Sequence, residues 1–178
     1  MWYSGVMAMV KKPLFSEGDV LVYPGYGVGQ VVGFQERVLG TTKRVFCVIA
    51  FREAGNESKV MIPVDNIAGV GLRAISSPKR VKEALAFLSS GQPDILASWK
   101  DRFSAHGDLL STGDLMSVAT VLKALYMLNT KKPLSFREKK MYQKALLLMG
   151  SEVGMVLNKP RADVEVDLLA RLASAQAT

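Results

Sequence analysis

Between Phe15 and Arg73 apolar residues fall in short runs of strand-forming type, cut by residues that turn the chain. The runs predict strands at Asp19–Tyr23, Val28–Arg37, Arg44–Phe51 and Lys59–Ile62, with a last short piece near Val70–Arg73. Gly40, Gly55-Asn56 and Pro63 punctuate them, each with a backbone reason to turn. Tyr23-Pro24-Gly25-Tyr26-Gly27-Val28-Gly29 is the tightest break and predicts a hairpin. Four or five strands in so short a stretch leave no room for crossover helices. They indicate a small antiparallel barrel of the SH3 or Tudor kind, with a split sheet as the alternative.

At Ser76-Ser77-Pro78 the apolar period changes from two to about 3.6. Ser77 can cap a helix and Pro78 suits its first turn, with Val81, Leu85 and Leu88 on one face to about Leu88. A second helix is predicted from Asp94 to about His106 with Leu96, Trp99 and Phe103, stopped by Gly107. A third begins at Ser111-Thr112-Gly113-Asp114 and aligns Leu115, Val118, Leu122, Leu125 and Tyr126. Ser135-Phe136-Arg137-Glu138 matches a capping box opening a fourth, to about Met149, that buries Met141, Ala145 and Leu148. A fifth spans Ala162 to Ser174 on Val164, Leu168, Leu169 and Leu172. The fold class read from these patterns is α+β: a barrel at 15–75, then an all-α bundle at 76–178. Residues 1–14 form a poorly ordered extension.

Composition sharpens this picture in three places. The chain has 178 residues, of which 49% are hydrophobic, enough for packed cores. Its formal charge of +7 favours an acidic partner such as nucleic acid. That charge is uneven: Lys79 to Lys144 holds twelve Lys and Arg against six Asp and Glu, while Lys11 to Arg73 is nearly balanced. Arg137, Lys140 and Lys144, spaced three and four apart, share a helix face that can follow a phosphate backbone, with Lys131-Lys132 in the loop before it. A solvated face is the plainer reading of the same charges.

Chemistry is sparse. A single Cys47 in an apolar run reads as buried filler, and with one histidine, His106, no Cys/His zinc site can be assembled. The glycines at 25, 27 and 29 lack the Lys-Ser/Thr of a phosphate loop and precede a strand. No nucleophile elbow or carboxylate pair stands out, so neither catalysis nor a cofactor, metal or small-molecule substrate is expected. No apolar run is long enough to span a bilayer and the lysines near the N-terminus follow the apolar part, so a cytoplasmic location is expected. Trp99, followed by Lys100 and Arg102, has two readings: packing on Phe103 four residues on, or an exposed ring that stacks at a distorted base step.

Several motifs together resemble the CarD/CdnL family of bacterial transcription regulators, whose barrel module also forms the polymerase-interacting domain of the transcription-repair coupling factor. They are Phe15-x-x-Gly18-Asp19-Val20-x-Val22-Tyr23-Pro24-x-x-Gly27-Val28-Gly29, Met61-Ile62-Pro63-Val64-Asp65-Asn66 and Gly69-Val70-Gly71-Leu72-Arg73. More loosely, Ser98-Trp99-Lys100-Asp101-Arg102-Phe103 and Leu134-Ser135-Phe136-Arg137-Glu138-Lys139-Lys140-Met141 are similar to its helical half. The resemblance implies a barrel docked on the β subunit of RNA polymerase and helices touching promoter DNA at the upstream edge of the melted region. The tryptophan would act there as wedge or prop, stabilising the open complex without reading a long sequence.

Arg37 lies where the family carries a basic residue for the polymerase contact, and Met61 stands where some members have an arginine. Lys59 and Arg52 complete that candidate set. Trp99 and Arg102 match the family's DNA-contacting positions; Lys100, Arg137, Lys140 and Lys144 are added from charge. Two other classes stay open: a module that docks on polymerase with no DNA role, and a general basic DNA-binding protein.

Overall fold

A computed structural model describes residues 14–53, 56–96 and 98–175. The expected N-terminal extension, save Leu14, and Gly55 of the predicted turn lie outside the described residues. Contacts divide the chain into two compact units, one of residues up to Tyr23 with Gly29–Ala74 and one of Pro24–Val28 with Ile75 onward.

The first unit is an antiparallel sheet of β1 (Val20–Tyr23), β2 (Gly27–Leu39), β3 (Thr42–Glu53), β4 (Asn56–Pro63) and β5 (Arg73–Ala74), ordered β4-β3-β2-β1-β5. β4 and β5 are its two edges, so the sheet is open rather than a closed barrel. The predicted last strand shrinks to Arg73–Ala74, because Val64–Asn66 forms a 3-10 turn and Gly71 takes φ +72°. Alternation along β2 turns Val31 inward, where it packs with Leu21, Cys47, Ile49, Ile62 and Ile67. Gly29 is a glycine for want of space: a Cβ there would lie 2.6 Å from Ile49 Cγ2. Burial pushes the Cys47 thiol up to about 11, which makes it inert filler as the sequence suggests.

The second unit holds α1 (Pro78–Ser90), α2 (Trp99–Ser111), α3 (Leu115–Lys131), α4 (Phe136–Leu157) and α5 (Arg161–Ser174). α3 is the central staff, with Leu115, Val118, Val121, Leu122 and Leu125 buried in one core with Val81 and Leu88 of α1 and Met149 and Val153 of α4, and Leu168 and Leu172 of α5 join that core from the side of α1 and α4. Each such side chain contributes about 1.5–3 kcal/mol on leaving water. Three caps form as the sequence indicates. Ser77 accepts from Arg80 N, Asp114 accepts from Ser117 N, and Ser135 with Glu138 makes the full capping box.

Two polar groups are taken inside the bundle and satisfied there. Lys123 Nζ donates to the Phe87 and Leu88 carbonyls at 3.1 and 2.8 Å, closing the C-terminal end of α1, and burial lowers its pKa. The Glu152 carboxylate accepts from Ser76 N at 3.0 Å.

Three helix limits differ from expectation. α2 begins at Trp99 instead of Asp94 and runs through Gly107, since Leu110 beyond it is buried and repays one glycine in mid-helix. α4 continues two turns past Met149 because Gly150 and Gly154 let α5 and the chain leading into it come close. A Cβ at Gly150 would lie 3.0 Å from Glu165 Cγ, and one at Gly154 would lie 2.9 Å from the Lys159 carbonyl. Asn158, in the left-handed conformation at φ 53°, ends the helix. Within α5 the apolar stripe is narrower than predicted, as Leu169 is exposed.

Candidate functional site

The site is built where α2 and α4 begin. Ser98 caps α2 by accepting from Asp101 N, which places Trp99 at the first helical position, 43% exposed. Phe103, one turn on, lies under the indole with ring centroids 5.8 Å apart and planes 19° from parallel. The residue is packed on Phe103 on one side, while much of the rest faces water. The Arg137 guanidinium of α4 sits over the Phe103 ring, 5.9 Å from its centroid. The result is a layered series, indole on phenyl on guanidinium, drawn from two helices.

Arg102 corrects an expectation. It is only 3% exposed and turns into the bundle, so it does not stand with the surface cations available to a phosphate. Its Nη1 donates to the Leu96 carbonyl at 2.7 Å and its Nη2 to Glu138 Oε1 at 3.4 Å. Glu138 serves two tasks with its two oxygens. Oε2 closes the capping box, accepting from Ser135 N at 2.9 Å and from Ser135 Oγ at 2.7 Å, while Oε1 meets Arg102. One carboxylate thus caps α4 and fastens it to α2. Burial pushes that carboxyl up, but the two Ser135 donors and Arg102 outweigh it and hold the group below its ordinary range.

His106 lies inside α2, one turn beyond Arg102, and is buried. Burial lowers its pKa and Arg102 lowers it further, against a smaller upward pull from Glu138. The folded protein thus holds fewer protons than the unfolded chain just below the ordinary histidine range. Stability from this group is complete above pH ~6.5 and is lost as pH falls from there through the folded-state pKa. Measured by urea midpoints from pH 7.5 to 5.5, wild type is expected to weaken below about pH 6.5 and His106→Gln to show a flatter slope there. Equal slopes in the two proteins would contradict this placement of the imidazole.

Lys100, Arg137, Lys140 and Lys144 are all exposed, so the remaining basic candidates do lie on the surface. Lys140 Nζ stands 4.6 Å from the ring centroid of Phe136, which is 71% exposed at the first position of α4. Sequence reasoning treated Phe136 only as part of the capping box. A signal was present: Ser98-Trp99-Lys100-Asp101 and Ser135-Phe136-Arg137-Glu138 repeat one order of cap, aromatic, base and acid.

On the sheet the basic candidates separate into two kinds. Arg52 Nε and Lys59 Nζ are held by the two oxygens of Glu57 at 3.0 and 3.2 Å, and Lys43 by Glu36 at 2.9 Å. The Arg52 hydrogen bond, then Lys59, hold the Glu57 carboxyl below its usual range. Met61 is half-buried opposite Val48. Arg37, by contrast, faces Arg44 directly across β2 and β3, and both are exposed beside the exposed Val38 and Leu39. Like charges in direct register repel. Arg44 was not singled out by sequence, since only the strand register reveals its neighbour.

Among the described residues no group of three or more His, Cys, Asp or Glu side chains is arranged to hold a metal ion, and no helix is long and apolar enough to cross a membrane.

Two family models match the chain. Residues 15–76 match the CarD-like/TRCF RID domain and residues 83–169 match the CarD C-terminal domain. A protein of Bacillus subtilis (strain 168) named "Putative transcription factor YdeB" is 29% identical over 143 residues, covering 80% of this chain and 92% of that protein.

Proposed function

The chain belongs to the CarD family of transcription regulators, and from that premise we propose that it binds the RNA polymerase β subunit through its sheet and steadies the promoter open complex through its helices, in the cytoplasm. An interaction with RNA polymerase is what the first domain's family implies. The observation that carries the DNA part is the Trp99–Phe103–Arg137 series, a part-exposed indole stacked on Phe103, with Lys100, Arg137, Lys140 and Lys144 exposed on the same two helices. An indole so braced loses little freedom on binding, and it can fill the gap left where a base pair opens. The exposed cations grip phosphates without selecting bases, which suits contact with many promoters.

For the polymerase contact we favour Arg37, with Arg44 opposite it in the strand register. Arg52 and Lys59 already spend their charge on Glu57. An acidic surface on the β subunit would relieve the Arg37–Arg44 repulsion on docking. In a capture assay with full-length protein and the isolated β lobe, Arg37→Glu is expected to weaken binding about tenfold or more. Arg52→Gln is expected to change it less than threefold or so. Full binding by Arg37→Glu would refute this assignment. Full-length protein that binds the lobe but no forked DNA at low salt would leave a polymerase-docking module without a DNA role.

A further inference from the structure

Phe136 stands outside the Trp99–Phe103–Arg137 series, and the residues around it repeat the order found at Trp99. Each aromatic occupies the first position of its helix, directly after a serine that caps it. Each is followed by an exposed base, Lys100 or Arg137, and then by an acid at the third position, Asp101 or Glu138. Each group of rings has a cation against it: Arg137 over Phe103, and Lys140 over Phe136. The two helix starts are fixed to each other by the buried Arg102–Glu138 pair, so the two aromatics are presented by one rigid piece of the bundle.

We infer that Phe136 with Lys140 is a second base-stacking site, and that the helical unit holds two unpaired bases of a single DNA strand, one at Trp99 and one at Phe136. This rests on the reading of the helices as a DNA contact. The chemistry required is that of a nucleotide, a flat base joined to an anion. The Phe136 ring, 71% exposed, offers a face to the base. Lys140, now resting on that ring, is freed by an arriving base to meet the adjoining phosphate. Arg137, next to Phe136 in sequence and in contact with Phe103, which carries the indole, is placed to hold the phosphate linkage that joins the stacked nucleotides. Packing does not explain the ring, since it makes none of the buried contacts of the helical core. Helix formation does not explain it either, as phenylalanine is a weaker helix former than alanine.

The test compares full-length variants on a fluorescein-labelled duplex ending in an unpaired fork and on the same duplex without the fork. Phe136→Ala is expected to weaken fork binding about 5- to 30-fold while leaving duplex binding within about twofold. Phe136→Trp is expected to restore it, because the ring face is kept. Phe136→Leu is not, because an apolar side chain without a π face cannot stack. Unchanged thermal unfolding of these variants shows that the exposed site was altered without loss of the fold. Fork binding by Phe136→Ala equal to wild type, with Trp99→Ala weakened, would overturn this inference and leave the proposed function standing; so would full rescue by leucine. A wild type with no preference for the fork over the duplex would overturn the DNA reading itself, and this inference with it.

Discussion

Replacing Arg102 with methionine is expected to lower the stability of the helical unit by about 3–5 kcal/mol, the usual cost of stranding one member of a buried ion pair. The substitution keeps length and apolar stem but removes the charge, leaving Glu138, 5% exposed, without its guanidinium. Urea unfolding measures this as a lower midpoint at an unchanged slope. The double variant Arg102→Met with Glu138→Gln is expected to recover part of the loss, because glutamine at the third position can still close the capping box. A loss under about 1 kcal/mol would mean that the pair behaves like a surface salt bridge.

The pH dependence has a definite sign. Glu138 is held below its ordinary value of 4.5, so its contribution is complete above that value and is lost as pH falls through the folded-state pKa. Without Arg102 the carboxyl rises, and acid weakening begins at higher pH. The functional consequence follows from geometry. Arg102→Met leaves Trp99 in place chemically but loosens α2 from α4, so fork binding weakens although no surface cation has been removed.

That same pair shows where sequence reading stops. Three helix starts were legible because a cap is local: Ser77 before Pro78, Asp114, and Ser135 three residues before Glu138 each reveal themselves within a few positions, whereas the Ser98 cap of α2 was passed over. Arg102 was taken for a DNA-contacting surface residue because it follows Trp99 at the offset that the family resemblance implies. Its partner lies 36 residues away, and nothing local distinguishes a buried arginine from an exposed one. Gly107 misled in the opposite way, reading as a stop, and the fourth helix was ended near Met149, before Gly150 and Gly154. At Gly107 a Cβ would meet nothing within 4 Å, while at Gly150 and Gly154 tight packing supplies the reason for glycine. On the sheet, strand pairing was legible from alternation, but closure was not, since whether β4 meets β5 depends on how the chain bends between them. The Arg37–Arg44 opposition likewise depends on a register that one residue of slip would erase.

Trp99→Ala is expected to abolish most of the gain in open-complex lifetime that the protein confers, shortening it about 5-fold or more, while capture of the β lobe stays within about twofold of wild type. The two effects separate because Trp99 and Arg37 belong to different units. A stability loss cannot imitate this result. The indole is 43% exposed and lies outside the buried core, so its removal gives up the stacked pair with Phe103, about 0.5–1.5 kcal/mol beyond the apolar area it covers, and leaves that core intact. Trp99→Phe is expected to keep part of the effect, since a smaller ring can still lie on Phe103 and meet a base. The measurement is the decay of complexes on a linear promoter after a competitor is added, at two salt concentrations. Raising salt weakens the grip of Lys100, Arg137, Lys140 and Lys144 on phosphates and leaves stacking largely intact. The ratio of wild-type to Trp99→Ala lifetimes is therefore expected to persist at higher salt while both lifetimes fall. A ratio that collapses to one at high salt would assign the effect to charge and leave the indole as packing.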